Sequence, residues 1–177
     1  MTALVVYESI YGNTRAIAEA IAEGLGGAAV ATVQQAPQDL GDCDLLVVGS
    51  PTHVHSMPTT RSRQLAVEAV LAAGAHMEAD ADAQPGVRGW MRDLPEVCGR
   101  RAAAFDTRVD KSAWLTGAAS HGIAKHLRHR GYDVLGSQSF LVGDSEGPLL
   151  DGELERAKAW AADLYASLPT QASEAAP

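Results

Sequence analysis

The chain has 177 residues, 46% of them hydrophobic, which is enough for one well-buried core and matches the size of a single domain. A formal charge of -8 and a pI near 5.1 argue against nucleic acid, whose phosphates need concentrated Lys and Arg, and favour attraction of a basic protein partner. Two cysteines without a CxxC exclude dithiol and zinc-ribbon motifs, and no apolar run approaches the ~20 residues of a membrane span, so a cytoplasmic protein is expected.

The first expected element is an apolar strand, Ala3–Tyr7, that leads into the small polar loop Ser9-Ile10-Tyr11-Gly12-Asn13-Thr14 and then an amphipathic helix, Thr14–Leu25. Such a loop presents successive backbone N–H groups. The first helical turn adds its unpaired donors and the positive end of its dipole, and together these make an anion site. The hydroxyls of Ser9 and Thr14 complete it. No Lys lies in the loop and the GxxxxGK[ST] pattern is absent, so a phosphate monoester fits better than a magnesium-bound nucleoside triphosphate. The plain alternative is an ordinary strand-to-helix turn, with Gly12 and Asn13 permissive and Thr14 capping the helix.

Gly26 and Gly27 end the first helix. A second strand is expected at Ala28–Val33 and a third at Asp44–Gly49. The unbroken apolar run LLVVG in the third suits a strand covered on both faces of a parallel sheet. A helix follows at Thr60–Ala73. Gly74–Gly86 is acidic and poor in large apolar residues, so it reads as an exposed excursion, either a surface loop or a lid or partner site. The remaining elements are a helix at Val87–Leu94, a strand at Ala102–Phe105, a helix at Thr116–Arg130 closed by Gly131, a strand at Tyr132–Val142, and a helix at Asp151–Leu168 stopped by Pro169. Residues 169–177 lack apolar content and read as a disordered tail, leaving one domain at 1–168. Alternating strands and helices with short connections predict an α/β, doubly wound, five-stranded parallel sheet. The His53–His55 pair and the trio His121, His126 and His129 have no carboxylate or Cys at ligand spacing, so no metal site is expected.

Three segments resemble the flavodoxin family. SIYGNT is similar to its phosphate loop, DLLVVGSPTHVHSMP (Asp44–Pro58) to the strand and loop on one face of the flavin, and RAAAFDTR (Arg101–Arg108) to those on the other face. The resemblance implies strand order 2-1-3-4-5 and noncovalent FMN. It places the phosphate at Ser9, Ile10, Tyr11, Gly12, Asn13 and Thr14, and the ring between Pro51, Thr52, His53 and Val54 and the segment Asp106, Thr107 and Arg108. The chemistry belongs to the flavin, so no acid, base or nucleophile is implied.

The chain departs from the family pattern in two places. Where many flavodoxins carry Gly beside the ring, this chain has Val54, His55 and Ser56; a β-branched residue resists positive φ and so disfavours one-electron reduction. Arg108 stands where the family surrounds the ring with acids. It is either a cation that raises the two-electron potential or a surface Arg paired with Asp106 or Asp110. Trp114 covers the ring or packs against the next helix, and Trp160 and Leu164 belong to the core. The compact segment after the fifth strand fits a short-chain layout.

The resemblance implies an electron-transfer protein with a redox partner. An FMN-dependent NAD(P)H or quinone oxidoreductase, or a relative of the protoporphyrinogen oxidases, is the alternative, although no GxGxxG is present for a second nucleotide. A flavin-free binding module on the same fold is the third reading.

Overall fold

Five parallel strands form one sheet in the order β2-β1-β3-β4-β5. They are β1 (Ala3–Tyr7), β2 (Ala29–Thr32), β3 (Leu45–Pro51), β4 (Arg101–Val109) and β5 (Asp133–Val142). The computed structural model describes residues 2–53, 56–74, 77–78, 85–144 and 146–168. Six helices complete it: α1 (Asn13–Gly24), α2 (Thr60–Ala73), α3 (Val87–Arg92), α4 (Ala113–Thr116), α5 (Ala119–His129) and α6 (Glu153–Ala166).

Alternation along the central strands divides the core into two layers. Val5, Val47, Ala103 and Phe105 face α1 and α6, where they pack with Ile17, Ile21, Phe140 and Ala161. Val6, Leu46, Val48 and Ala104 face α3 and α5, packing with Trp90, Met91, Ile123 and Leu127. Both faces of β3 are therefore covered, which accounts for its continuous apolar run. The strands pair in matched register, Val5 with Val30 and Val47, and Val47 with Ala103, so their carboxyl ends emerge at one edge.

The structure departs from the sequence expectations at four points. First, β4 does not stop at Phe105 but runs to Val109, so Asp106, Thr107 and Arg108 are strand residues rather than loop. Second, the helix expected at Thr116–Arg130 begins only at Ala119. A separate short helix, α4, precedes it, and the break falls at Gly117, whose φ of 69° only glycine adopts readily. Third, α2 buries Val67 and Val70 against Ile10 in a small core of its own rather than in either sheet layer. Its N-terminus is fixed by a capping box in which Thr59 and Ser62 exchange hydrogen bonds. Fourth, Trp114 is 87% exposed and joins no core cluster of the described residues, whereas Trp160 and Leu164 do join the core.

β5 is one uninterrupted strand, in keeping with the short-chain layout. Cys98 is exposed and Cys43 half-buried. Among the described residues no helix is long and apolar enough to cross a membrane. The tail and most of the Gly74–Gly86 excursion lie outside the described residues.

Candidate functional site

A cleft opens at the carboxyl edge of β1, β3 and β4, the place where open parallel sheets take their ligands. Ser9, Ile10, Tyr11, Asn13 and Thr14 line one side, Pro51, Thr52 and His53 another, and Thr107, Arg108 and Val109 a third, with Ala66 of α2 and Val142 of β5 at the margins. Ten of the sequence-derived site residues thus meet around one space. Its volume of about 200 Å³ lies below the usual ligand-pocket range of roughly 300–1,000 Å³, so a flat ring would leave part of itself at the mouth.

The first loop has the geometry of an anion cradle. Gly12 adopts a φ of 88°, and its amide donates to Ser9 Oγ at 3.1 Å, which holds the turn. The amides of Tyr11, Asn13 and Thr14 donate to no acceptor among the described residues, and they head α1. The Thr14 and Thr107 hydroxyls lie 2.7 Å apart and buried, so the loop of β1 is tied to the end of β4 across β3. Asn13 Nδ2 donates to the Glu146 carbonyl at 2.9 Å, bringing in the loop after β5. Ile10 is 1% exposed and serves as the seat of α2, a role its place in a polar loop does not announce. Tyr11 has its phenol pushed up by burial and then by Glu146.

In the second loop, His53 and Ser56 exchange both backbone hydrogen bonds, at 2.8 and 3.0 Å, which closes a tight turn. Val54 and His55 lie outside the described residues. Arg88 of α3 steadies the far side by donating to the Ser56 hydroxyl at 3.3 Å and the Met57 carbonyl at 3.0 Å. The His53 ring is held below its ordinary pKa chiefly by burial, with Arg63 adding to the effect and a hydrogen bond to the Ser62 backbone opposing it. His53 is therefore a neutral wall residue at neutral pH.

Two predicted contacts have other work. Asp106 is fully buried behind the cleft and does not line it; its Oδ2 accepts from the Ser120 amide at 2.7 Å. Thr52 lines the cleft, yet its hydroxyl accepts from the Ala119 amide at 2.9 Å. Together these side chains satisfy the first two amides of α5, whose own N-cap, Ala118, offers no side-chain acceptor. Burial of the Asp106 carboxyl raises its pKa, against the lowering effect of Ser120, Ser139 and Arg108. The sequence, which predicts a helix from Thr116, carries no signal of this role, because Ala118 is recognised as the N-cap only once the helix is seen to start at Ala119.

Arg108 pairs with neither Asp106 nor Asp110. Its Nη1 donates to the Lys111 carbonyl, to the Val109 carbonyl at 3.4 Å and to the Thr116 hydroxyl at 3.3 Å, holding the 109–116 segment. Its Nε is buried and has no hydrogen-bond partner among the described residues. Among the described histidines, His126 is turned away from the cleft and bonds the Met91 carbonyl at 3.0 Å. The described residues include no group of three potential metal ligands.

Residues 4–88 match the family model of the flavodoxin domain. No curated protein matches the sequence. Among solved structures, a flavodoxin from the domain Archaea is 23% identical with a TM-score of 0.59, covering 94% of this chain and 97% of its own. Oxidised flavodoxin 1 from Bacillus cereus is 18% identical with a TM-score of 0.62, over 96% and 100%. Two-electron reduced flavodoxin from Megasphaera elsdenii is 20% identical with a TM-score of 0.57, over 92% and 99%. At these identities the structural likeness speaks for the fold, and the sequence likeness is confined to residues 4–88. Residues 4–88 are thus similar in sequence to the flavodoxin domain, and the five-stranded fold is the one these solved flavodoxins share.

Proposed function

We propose that the cleft binds FMN noncovalently and that the protein transfers electrons through it. The observation that carries this reading is the loop at Ser9–Thr14, where free amides and neutral hydroxyls converge without a Lys. That donor set suits a phosphate monoester. Ser9, Tyr11, Gly12, Asn13 and Thr14 would hold the phosphate, while Pro51, His53, Thr107 and Arg108 would flank the ring. FMN when bound supplies the redox chemistry; the protein supplies orientation and electrostatics. The shallow cleft leaves a ring edge accessible to a partner.

Titrating the apoprotein into FMN, with riboflavin as the phosphate-free control, tests this reading. Tight binding of FMN and weak binding of riboflavin are expected. Absence of FMN binding, with a colourless protein, would leave the flavin-free module.

One observation favours a second reading, an FMN-dependent NAD(P)H or quinone oxidoreductase or a protoporphyrinogen-oxidase-like enzyme. Arg108 puts a cation in the cleft wall, which suits two-electron chemistry. Turnover of NADH or NADPH with a quinone, without added reductase, distinguishes that enzyme from a carrier.

A further inference from the structure

We propose that Arg108 sets the charge preference of the cleft, so that it holds a two-electron-reduced, anionic flavin more tightly than the oxidised one. The inference rests on the reading of the cleft as an FMN site.

Arg108 is the only Asp, Glu, Lys or Arg lining the cleft among the described residues. Burial leaves His53 neutral, and the neighbouring acid, Asp106, does not line the cleft: its carboxylate caps α5, where it still feels the Arg108 charge. The guanidinium's described partners are all uncharged: two carbonyls and a hydroxyl. They fix its position without cancelling its charge. Its buried Nε–H has no acceptor among the described residues, so the cost of desolvating that donor is met without a hydrogen bond from them.

The chain as a whole carries -8, which makes a cation as the one charged side chain lining this cleft among the described residues a local reversal of sign. β3 lies between β1 and β4, but the loop after β1 reaches the end of β4 through the Thr14–Thr107 contact, so comparing FMN with riboflavin is what separates an effect of Arg108 on the phosphate from one on the ring. Arg108 also borders the space between the second loop and the end of β4, where the ring would sit. Uptake of two electrons from a low-potential donor and one proton from water leaves one negative charge on that ring. A half-buried cation stabilises that charge far better than an exposed one does.

The test compares wild type, R108Q and R108K in two measurements: dissociation constants for oxidised FMN and riboflavin, and the two-electron midpoint potential from anaerobic dithionite titration against a reference dye. R108Q is expected to weaken reduced FMN about tenfold more than oxidised FMN, which by the two-electron conversion lowers the potential by about 30 mV. R108K, which keeps the charge and loses the fork, is expected to retain most of the potential. If both variants bind FMN with an unchanged potential, Arg108 is only a clamp for the 109–116 segment and the proposal falls.

A measurement on wild type alone stands even where a variant does not fold. Around neutral pH its potential should fall by about 30 mV per pH unit, the signature of one proton per two electrons. A slope twice as steep means a neutral reduced ring and overturns the proposal. Failure of wild type to bind FMN at all is a separate result, which removes the underlying reading.

Discussion

Glu8 Oε1 lies 3.5 Å from Arg63 Nε, with both side chains 3% exposed, directly beneath the loop that begins at Ser9. Glu8 Oε2 accepts from the Val87 amide at 2.8 Å, so one carboxylate joins the end of β1 to α2 and to the start of α3. There is no room for more: a Cβ on Gly86 would stand 2.6 Å from Arg63 Nη1.

Breaking this pair from one side strands a buried charge, which costs about 3–5 kcal/mol. R63M should fall in that range, and E8Q should cost less, because a Gln oxygen still accepts from Val87. The double variant should be more stable than the two single losses predict by addition, and urea melts of all four proteins measure the coupling. Strict additivity would show that the two groups do not interact.

Glu8 and Asp106 also set the pH dependence of stability. Burial pushes both carboxyls up, outweighing the Val87 amide and Arg63 at one and the Ser120 amide at the other. In the window just above the ordinary Glu and Asp values, the folded protein retains protons that the unfolded chain has released. Their contribution to stability therefore declines as pH rises through that window. D106N keeps an oxygen for Ser120 and removes the charge, so at neutral pH it should be at least as stable as wild type, with a flatter profile. Chemical melts between mildly acidic and neutral pH decide this; an unchanged slope in D106N rules it out.

Glu78 bears on the proposed phosphate site. Its amide donates to the Ile10 carbonyl at 2.9 Å, and its Oε1 lies 3.1 Å from where a Cβ on Gly12 would be, with Arg15 Nη1 3.5 Å from its other oxygen. A carboxylate against the turn of an anion loop repels a phosphate, and Arg15 offsets it in part. E78Q should tighten FMN binding several-fold at low ionic strength, with the gain shrinking as salt is added and riboflavin unaffected. Equal effects on both ligands would assign Glu78 to loop structure alone.

The sheet and the meeting of three segments at its carboxyl edge were legible because they depend on local patterns. Apolar runs, a Gly-containing turn and helix periodicity all act within a few residues. What was not legible depends on distant partners. Asp106 reads as a loop acid until the Ala118 N-cap of α5 supplies the reason for its burial. Ile10 reads as an incidental member of a polar loop until Val67 and Val70 settle on it. Arg108 offered two partners in sequence, Asp106 and Asp110, and took neither, because the carbonyls of the segment it anchors are nearer.

Gly49 shows how the core reaches the site. It pairs with Tyr7 of β1 and Phe105 of β4, and a Cβ there would lie 2.1 Å from Phe105 Cζ, inside the ring's own envelope. The fully buried ring cannot retreat, since it packs edge-on to Phe140 at 6.4 Å. G49A should therefore destabilise by about 1–3 kcal/mol through overpacking, and F105L, which shortens the obstructing group, should recover part of that loss in the double variant. Because Ser50 and Pro51 continue from Gly49 into the second loop, G49A should also weaken FMN, and F105L should restore both properties together. Urea melts and FMN titrations on the same four proteins provide the check. Stability restored without affinity would mean that the loop is positioned independently of the core beneath it.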